Sequence, residues 1–517
     1  MIKINHQKFK KKQYRIIAMM TGMIGIFSVA SACAVVPFYI APKSTNHAVN
    51  SVPEASVYQI AHNLTFSLQF DNSGGYHPSG STNERINERK GPYSEFGTGW
   101  LFDWNLDSTT PDENGNFTWT GYFATNVHVV DGLLNKDDGD IYTPSWLRVG
   151  SIGYNSQGDQ TTAFSLGKFD NSPSTLNSLQ NNANITSIPL STLPKTFYTG
   201  LNFYNKKVNV TPHQNTILND NFYLDFAVLA ISIKYFQTPI NDQQQNEKLV
   251  YENWIVPAME TLKNHYGPDA YTRLFDNTNL INEYNNSGKT SQNYYAIGGY
   301  PVYRSNSDQN IPPPHYTNRR VGLDGNHIGN PNGSPAWTIN TSNNDLNTQG
   351  QKFATNNEQP NLSAPDLSGL YSFGSIDFSQ TLYYHGEKYL QYGLGYVIEN
   401  SNLQGGSSGS AIFSTKPNDS SKSKISAIYF GTFKPKNFGK DSKIGLGMAL
   451  IVPEYNRSKI RADFYENLIP YNLLAGNQYM NNATKSDDGV ISDSFYRQKL
   501  ADANINSNLF KLAKISK

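Results

Sequence analysis

The sequence predicts a mainly β fold, and three observations carry that prediction. Only 16% of the 517 residues are charged, whereas aromatics reach 13%, with 33 Tyr and 27 Phe. Such side chains suit pleated, half-buried surfaces. Polar stretches rich in Gly and Asn punctuate the apolar ones, as the turns of a many-stranded chain require. Most apolar runs are short and alternating or fully apolar, without the longer 3.6-residue pattern of helices. The formal net charge of +1 gives no electrostatic footprint for nucleic acid, so no nucleic-acid partner is expected.

The first element is a leader. Lys3, Lys8, Lys10, Lys11, Lys12 and Arg15 precede a charge-free run over residues 16–29, followed by Ala30, Ser31, Ala32 and Cys33. A basic head, a short apolar run and a small-residue site describe an export signal. The run is too short for a comfortable membrane span of roughly 20 residues. Cys33 is the only cysteine in the chain, so no internal disulfide can form and the fold must be held by its core. Its place directly after small residues resembles a bacterial lipobox, with Ala30 standing where Leu is usual. Acylation there implies a lipid anchor, because two or more acyl chains hold a protein on a membrane where one does so only marginally.

Residues 34 to about 60, with Pro37, Pro42 and Pro53, read as a flexible linker. Residues 63–70 (NLTFSLQF) alternate and read as a strand. Residues 95–104 (EFGTGWLFDW) and 122–130 (YFATNVHVV) follow as strands, and 146–153 is a weaker strand candidate in a poorly periodic stretch. Residues 221–233 (NFYLDFAVLAISI) form the strongest buried strand. A helix is expected over 247–275, with Tyr251, Trp254, Ile255, Ala258, Met259 and Leu262 on one face and a break at Gly267-Pro268. Residues 294–300 (YYAIGGY) are a strand, and 304–366 reads as a very long loop. Further strands are expected over 389–399, 411–413, 425–433 and 445–452. There is no internal repeat.

Three segments carry chemistry. His128 lies in ATNVHVV, Asp225 interrupts the apolar strand 221–233, and Ser408 sits in GGSSGSA. A buried aspartate is expensive unless it is paired or hydrogen-bonded. A Gly/Ser run is ordinarily a flexible linker, but apolar strands flank this one closely on both sides. Together the three supply what a nucleophilic serine needs, namely a base to take its proton and a buried acid to fix the base's tautomer. Gly406 and Gly409 flank Ser408, leaving the Gly406 and Ser408 amides free to face a developing oxyanion.

The order His, Asp, Ser is that of chymotrypsin-like proteases. TNVHVVDG (125–132), DFAVLAI (225–231) and GSSGSAIF (406–413) are similar to the motifs of bacterial periplasmic trypsin-like proteases. Gly97-Thr98-Gly99-Trp100, AIGGYP (296–301) and GLGMALIVP (445–453) resemble supporting strands of the same proteins. With the lipobox, the chain resembles a family of mycoplasma surface lipoproteins described as peptidases, some of which cleave immunoglobulin alongside an antibody-capturing partner. That resemblance implies a chymotrypsin-like double β-barrel with long loop and helical insertions. It implies a domain map of lipoprotein signal 1–33, flexible linker 34–60, trypsin-like serine protease domain 61–475, and polar, partly helical tail 476–517. It further implies a serine endopeptidase on the outer face of the cell membrane, with a host protein such as immunoglobulin as substrate. The catalytic residues are then His128, Asp225 and Ser408, and the lipidated residue is Cys33. The resemblance also implies that the position six before the nucleophile, Asn402, lines the primary pocket, where a neutral residue argues against strict cleavage after Lys or Arg.

Departures are visible. Ser407 precedes the nucleophile where activated digestive proteases carry Asp, and Ser410 replaces a Gly. No cofactor or metal is expected, since the His315/His327 and His62/His77 pairs lack ligand spacing with acids, and no phosphate-binding Gly loop is present. The rival reading is a protease-fold lipoprotein with little activity, serving as an adhesin or antibody-binding surface.

Overall fold

The computed structural model describes residues 55–73, 93–135, 137–138, 160–169, 185–204, 221–267, 270–276, 294–300, 336–340, 371–372, 381–384, 387–399, 406–416, 419–433, 444–453, 469–476 and 494–511. The chain is mainly β. The first strands, β1 (Thr65–Asn72), β2 (Tyr93–Trp104), β3 (Phe117–Thr125), β4 (Thr161–Phe169), β5 (Ile185–Leu190), β6 (Lys195–Leu201) and β7 (Asn221–Tyr235), build one sheet. Two later strands, β11 (Thr381–Tyr384) and β12 (Glu387–Gln391), extend it in the order β11-β12-β7-β3-β2-β1-β4-β5, with β6 also on β7. The second sheet contains β8 (Tyr294–Gly299), β9 (Ala336–Asn340), β10 (Tyr371–Ser372), β13 (Leu394–Glu399), β14 (Ala411–Lys416), β15 (Asp419–Phe433) and β16 (Ile444–Ala449), in the order β10-β13-β16-β15-β14-β8-β9. A short pair, β17 (Ile451–Val452) and β18 (Tyr471–Asn472), follows.

The two sheets stand where two barrels are expected, but each is open among the described residues. In the first, β4 carries β5 and β7 carries β6. A ladder between β5 and β6 would close the ring, and none is present among the described residues. The β3–β7 ladder is the longest antiparallel seam, running from Phe117 opposite Tyr235 to Thr125 opposite Ala227. Its inner faces are aromatic and aliphatic, with Phe66 against Phe123 at 5.3 Å between ring centres. Burying each such side chain contributes about 1.5–3 kcal/mol.

Several expectations are corrected. Residues 55–60, expected as the end of a linker, belong to helix α1 (Ala55–Leu64). Val57, Ile60, Ala61 and Leu64 recur at helical spacing and are all buried, because α1 packs against β1, β2, β8, β14 and β15 and so fills the gap between the sheets. The strand expected over 122–130 stops at Thr125, and His128 lies on a separate helical turn, α2 (Val127–Val130). The helix of the middle segment starts earlier than expected, at α3 (Asp242–Val250). It continues through a wide turn, Tyr251–Ile255, into α4 (Val256–Thr261) and a second wide turn, Leu262–Tyr266. Pro257 has no amide to give the preceding turn, in keeping with the interruption of the regular ladder. Gly267, at φ +65°, ends it, and α5 (Ala270–Leu274) follows. Within the expected loop 304–366, β9 pairs with β8.

The tail, expected as polar and partly helical, holds a helix. Helix α6 (Tyr496–Asp502) is docked, with Tyr496 and Leu500 buried. Tyr496 packs against Phe102, the rings tilted and their centres 4.9 Å apart, and its hydroxyl donates to Asp103 on β2. The strand candidate at 146–153, the signal, Cys33 and Asn402 lie outside the described residues.

Candidate functional site

The site grows from the end of the β3–β7 seam. Beyond Thr125 the chain crosses β7 and turns into α2, with Asn126 at its N-cap. A capping Asn ordinarily accepts from the second or third amide of its helix. Here Asn126 instead donates from Nδ2 to the carbonyl of Asp225 at 2.6 Å. The vacated capping role passes to the Asp225 carboxylate, whose Oδ1 accepts from the His128 amide at 3.1 Å. Oδ2 of the same carboxylate lies 2.6 Å from His128 Nδ1. One buried carboxylate therefore fixes both the backbone and the ring of His128. A hydrogen on Nδ1 leaves the Nε2 lone pair free to accept a proton, the arrangement of a general base. Burying Asp225 between Leu224 and Phe226 excludes competing water from this pair.

The environment of α2 is acidic. Asp131, directly after it, has its carboxyl pushed up to about 7, chiefly by burial and further by Glu95, with His128 opposing. Gly97 on β2 gives α2 room, since a Cβ there would meet Val129 at 2.4 Å.

Ser408 arrives from the second sheet. The turn 406–410 leads into β14 and is held to β15 on one side, where the Gly409 amide donates to Tyr429 O and the Tyr429 amide to Ser410 O, both at 2.8 Å. On its other side it meets β2. The β2–β3 ladder begins at Trp100 opposite Ala124, so the β2 edge is bare at Thr98, and the turn occupies it. The Thr98 amide donates to Ser408 O at 2.8 Å, and Thr98 Oγ1 donates to Gly406 O at 2.9 Å. Gly409 is at φ +95°, and a Cβ there would fall 1.9 Å from Thr98 O and 2.5 Å from Thr125 Oγ1. Only glycine fits that approach. Neither the Gly406 nor the Ser408 amide has a hydrogen-bond partner among the described residues.

The predicted residues are thus distributed as follows. His128 and Asp225 are in direct contact. Ser408 lies on a turn packed against Thr98 and Thr125, and Thr125 stands three residues before His128. The Ser408 hydroxyl itself is 3.4 Å from Phe430 O. Ser407 is fully buried, and its hydroxyl has no hydrogen-bond partner among the described residues. Among the described residues no group of His, Cys, Asp and Glu is placed to hold a metal. Sequence reasoning missed Asn126, Thr98 and Thr125. Two of them stand inside the TNVH motif and the third between Gly97 and Gly99, so their neighbourhood in the sequence was the available signal.

A family model described as Mycoplasma immunoglobulin protease matches residues 55–431 of the chain. An uncharacterized lipoprotein of Mycoplasmoides gallisepticum is 33% identical, covering 91% of this chain and 85% of that protein. One from Mycoplasma genitalium is 30% identical, covering 85% and 84%. Among solved structures, that of the mycoplasma MIB and MIP proteins aligns with a TM-score of 0.43 at 17% identity, covering 83% of this chain. The chain spans 61% of the length of that solved chain.

Proposed function

We propose that this chain, which belongs to the Mycoplasma immunoglobulin protease family, is a membrane-anchored serine endopeptidase acting on host protein, with immunoglobulin as the substrate class. The two sheets are read as the two barrels of a chymotrypsin-like protease. The observation that carries the proposal is the Asp225 carboxylate bonded at once to the amide and to Nδ1 of His128. A merely structural aspartate has no need to set an imidazole tautomer.

In this reading Ser408 Oγ attacks the scissile carbonyl carbon while His128 Nε2 takes its proton. The tetrahedral oxyanion is received by the Gly406 and Ser408 amides. His128 then gives its proton to the leaving amine, and the acyl-enzyme is hydrolysed by the same steps with water as nucleophile. Asp225 keeps the imidazolium in place. Each oxyanion donor contributes about 2.7–4 kcal/mol to the transition state. Asn402 is assigned to the primary pocket. Acylation at Cys33 supplies the anchor and an outward-facing location, a reading supported by the lipoprotein names of the relatives. A separate antibody-binding protein is the expected partner.

The contact of Ser408 Oγ with Phe430 O favours the second reading, a binding protein with little activity. A fluorophosphonate probe separates the two. The endopeptidase labels, and Ser408→Ala does not. If wild type takes no label, the binding reading stands. Incubating the ectodomain with immunoglobulin and sequencing new termini then tests the substrate class.

A further inference from the structure

We infer that Thr98 and Ser410 are positioning residues that pre-set the oxyanion-binding turn; the inference rests on the endopeptidase reading above. It starts from how each peptide of the turn is held. A trans peptide aims its N–H opposite to its carbonyl, so fixing one end fixes the other. The Ser408 amide belongs to the peptide whose carbonyl is Ser407 O. That carbonyl accepts from Ser410 Oγ at 2.6 Å and from the Ser410 amide at 3.1 Å. The Ser410 hydroxyl thus turns the Ser408 N–H outward, away from the core.

Thr98 holds the rest. Its amide fixes Ser408 O, and its hydroxyl fixes Gly406 O, the carbonyl on the far side of Ser407. The same hydroxyl accepts from the Tyr300 amide at 3.0 Å, and Thr98 O accepts from Thr125 Oγ1 at 2.8 Å. Thr98 is fully buried, and one side chain ties β2, the end of β8 and the nucleophile turn together. Gly299 makes the second clamp possible, because a Cβ on it would fall 2.2 Å from Ser410 Oγ. The serine standing where a glycine is usual is therefore a built contact of this chain. Preorganised donors act without reorganising during the reaction, so loosening either hydroxyl lowers the rate while leaving encounter with a reagent intact.

The test is the saturation kinetics of fluorophosphonate labelling on the full chain. Thr98→Val and Ser410→Ala are each expected to lower the limiting labelling rate about 10- to 100-fold, less than the loss of a whole donor, with half-saturation unchanged. Thr98→Ser restores the rate. Thr120→Val, which removes the bond to Ser232 farther along the β3–β7 seam, keeps it. Ser408-dependent labelling of wild type, with both variants reacting at the wild-type rate, overturns the positioning role and leaves the enzyme reading standing. Absence of Ser408-dependent labelling in wild type overturns both. Should Thr98→Val not fold, Ser410→Ala carries the same test alone.

Discussion

The two halves of the proposed site, the His128–Asp225 pair and the Ser408 turn, are held by different means. His128 and Asp225 belong to one sheet, and everything that orients them comes from the β3–β7 seam, where Thr125 faces Ala227 and Asn126 grips Asp225 O. Ser408 belongs to the other sheet, and its turn is held both by that sheet's own bonds, between Gly409, Ser410 and Tyr429 and from Ser410 Oγ to Ser407 O, and by bonds that cross between sheets through Thr98. The first half is set once the first sheet forms. The second half is completed only when the two sheets dock.

The strongest way to break the comparison is to damage the first half chemically without moving it. Asp225→Asn keeps an acceptor for the His128 amide but can present an NH₂ to Nδ1, which favours the wrong tautomer. Labelling or peptide hydrolysis is expected to fall about 10⁴-fold with little change in melting temperature. A fall of tenfold or less shows that the pair is structural.

The next effect comes from the second half. Gly409→Ala places a methyl into Thr98 O at a residue with φ +95°. The turn must lift off β2, moving Ser408 by something like an ångström, and such a displacement costs about 10²-fold in rate. Stability falls too, by about 1–3 kcal/mol for the overpacking. The comparison predicts that the His128 ring signals in an NMR spectrum stay unchanged. If they shift as much as those of the turn, the two halves are not independent.

Much of this was legible in the sequence because the chemistry is local. The three motifs supply the residues of the proposed site, His128, Asp225 and Ser408, and alternation or apolar runs announce β1, β2, β7, β8 and β14 to within a few residues. What was hidden depends on contacts distant in the chain. The first half of helix α1 looked like linker and its last two residues like strand, because Val57, Ile60, Ala61 and Leu64 make sense as one face only when packed between two sheets. The strand-like ATNVHVV becomes a helical turn because Asp225, 97 residues on, caps it. Ser410 looked like a defect in the motif until Gly299 was seen to leave room for its hydroxyl. The expectation of closed barrels came from resemblance and had no counterpart in periodicity, and both sheets are open among the described residues.

The gentlest test concerns β2, the strand that serves both halves. At its end Asp103 is buried and accepts from the amides of Trp104 and Leu509 and from the hydroxyl of Tyr496. It is the hub on which the segment 494–511 docks. Burial pushes its carboxyl from 3.8 up to about 6, against the hydrogen bonds, which lower it. The folded state therefore binds this proton more tightly than the unfolded chain does. The stabilisation from protonation is fully present below pH 3.8 and is lost as pH rises through 6. It amounts to about 3 kcal/mol. Wild type is expected to protect the amides of 496–502 from hydrogen exchange better at pH 5 than at pH 7.5. Asp103→Asn keeps the acceptor for both amides and carries no charge, so its protection becomes nearly independent of pH over that range. Labelling of Ser408 at pH 7.5 stays at the wild-type rate if the docked segment braces the first sheet without reaching the nucleophile turn. A rate change in parallel with exchange shows instead that β2 transmits strain from Asp103 to Thr98, and that the two halves are coupled along a single strand.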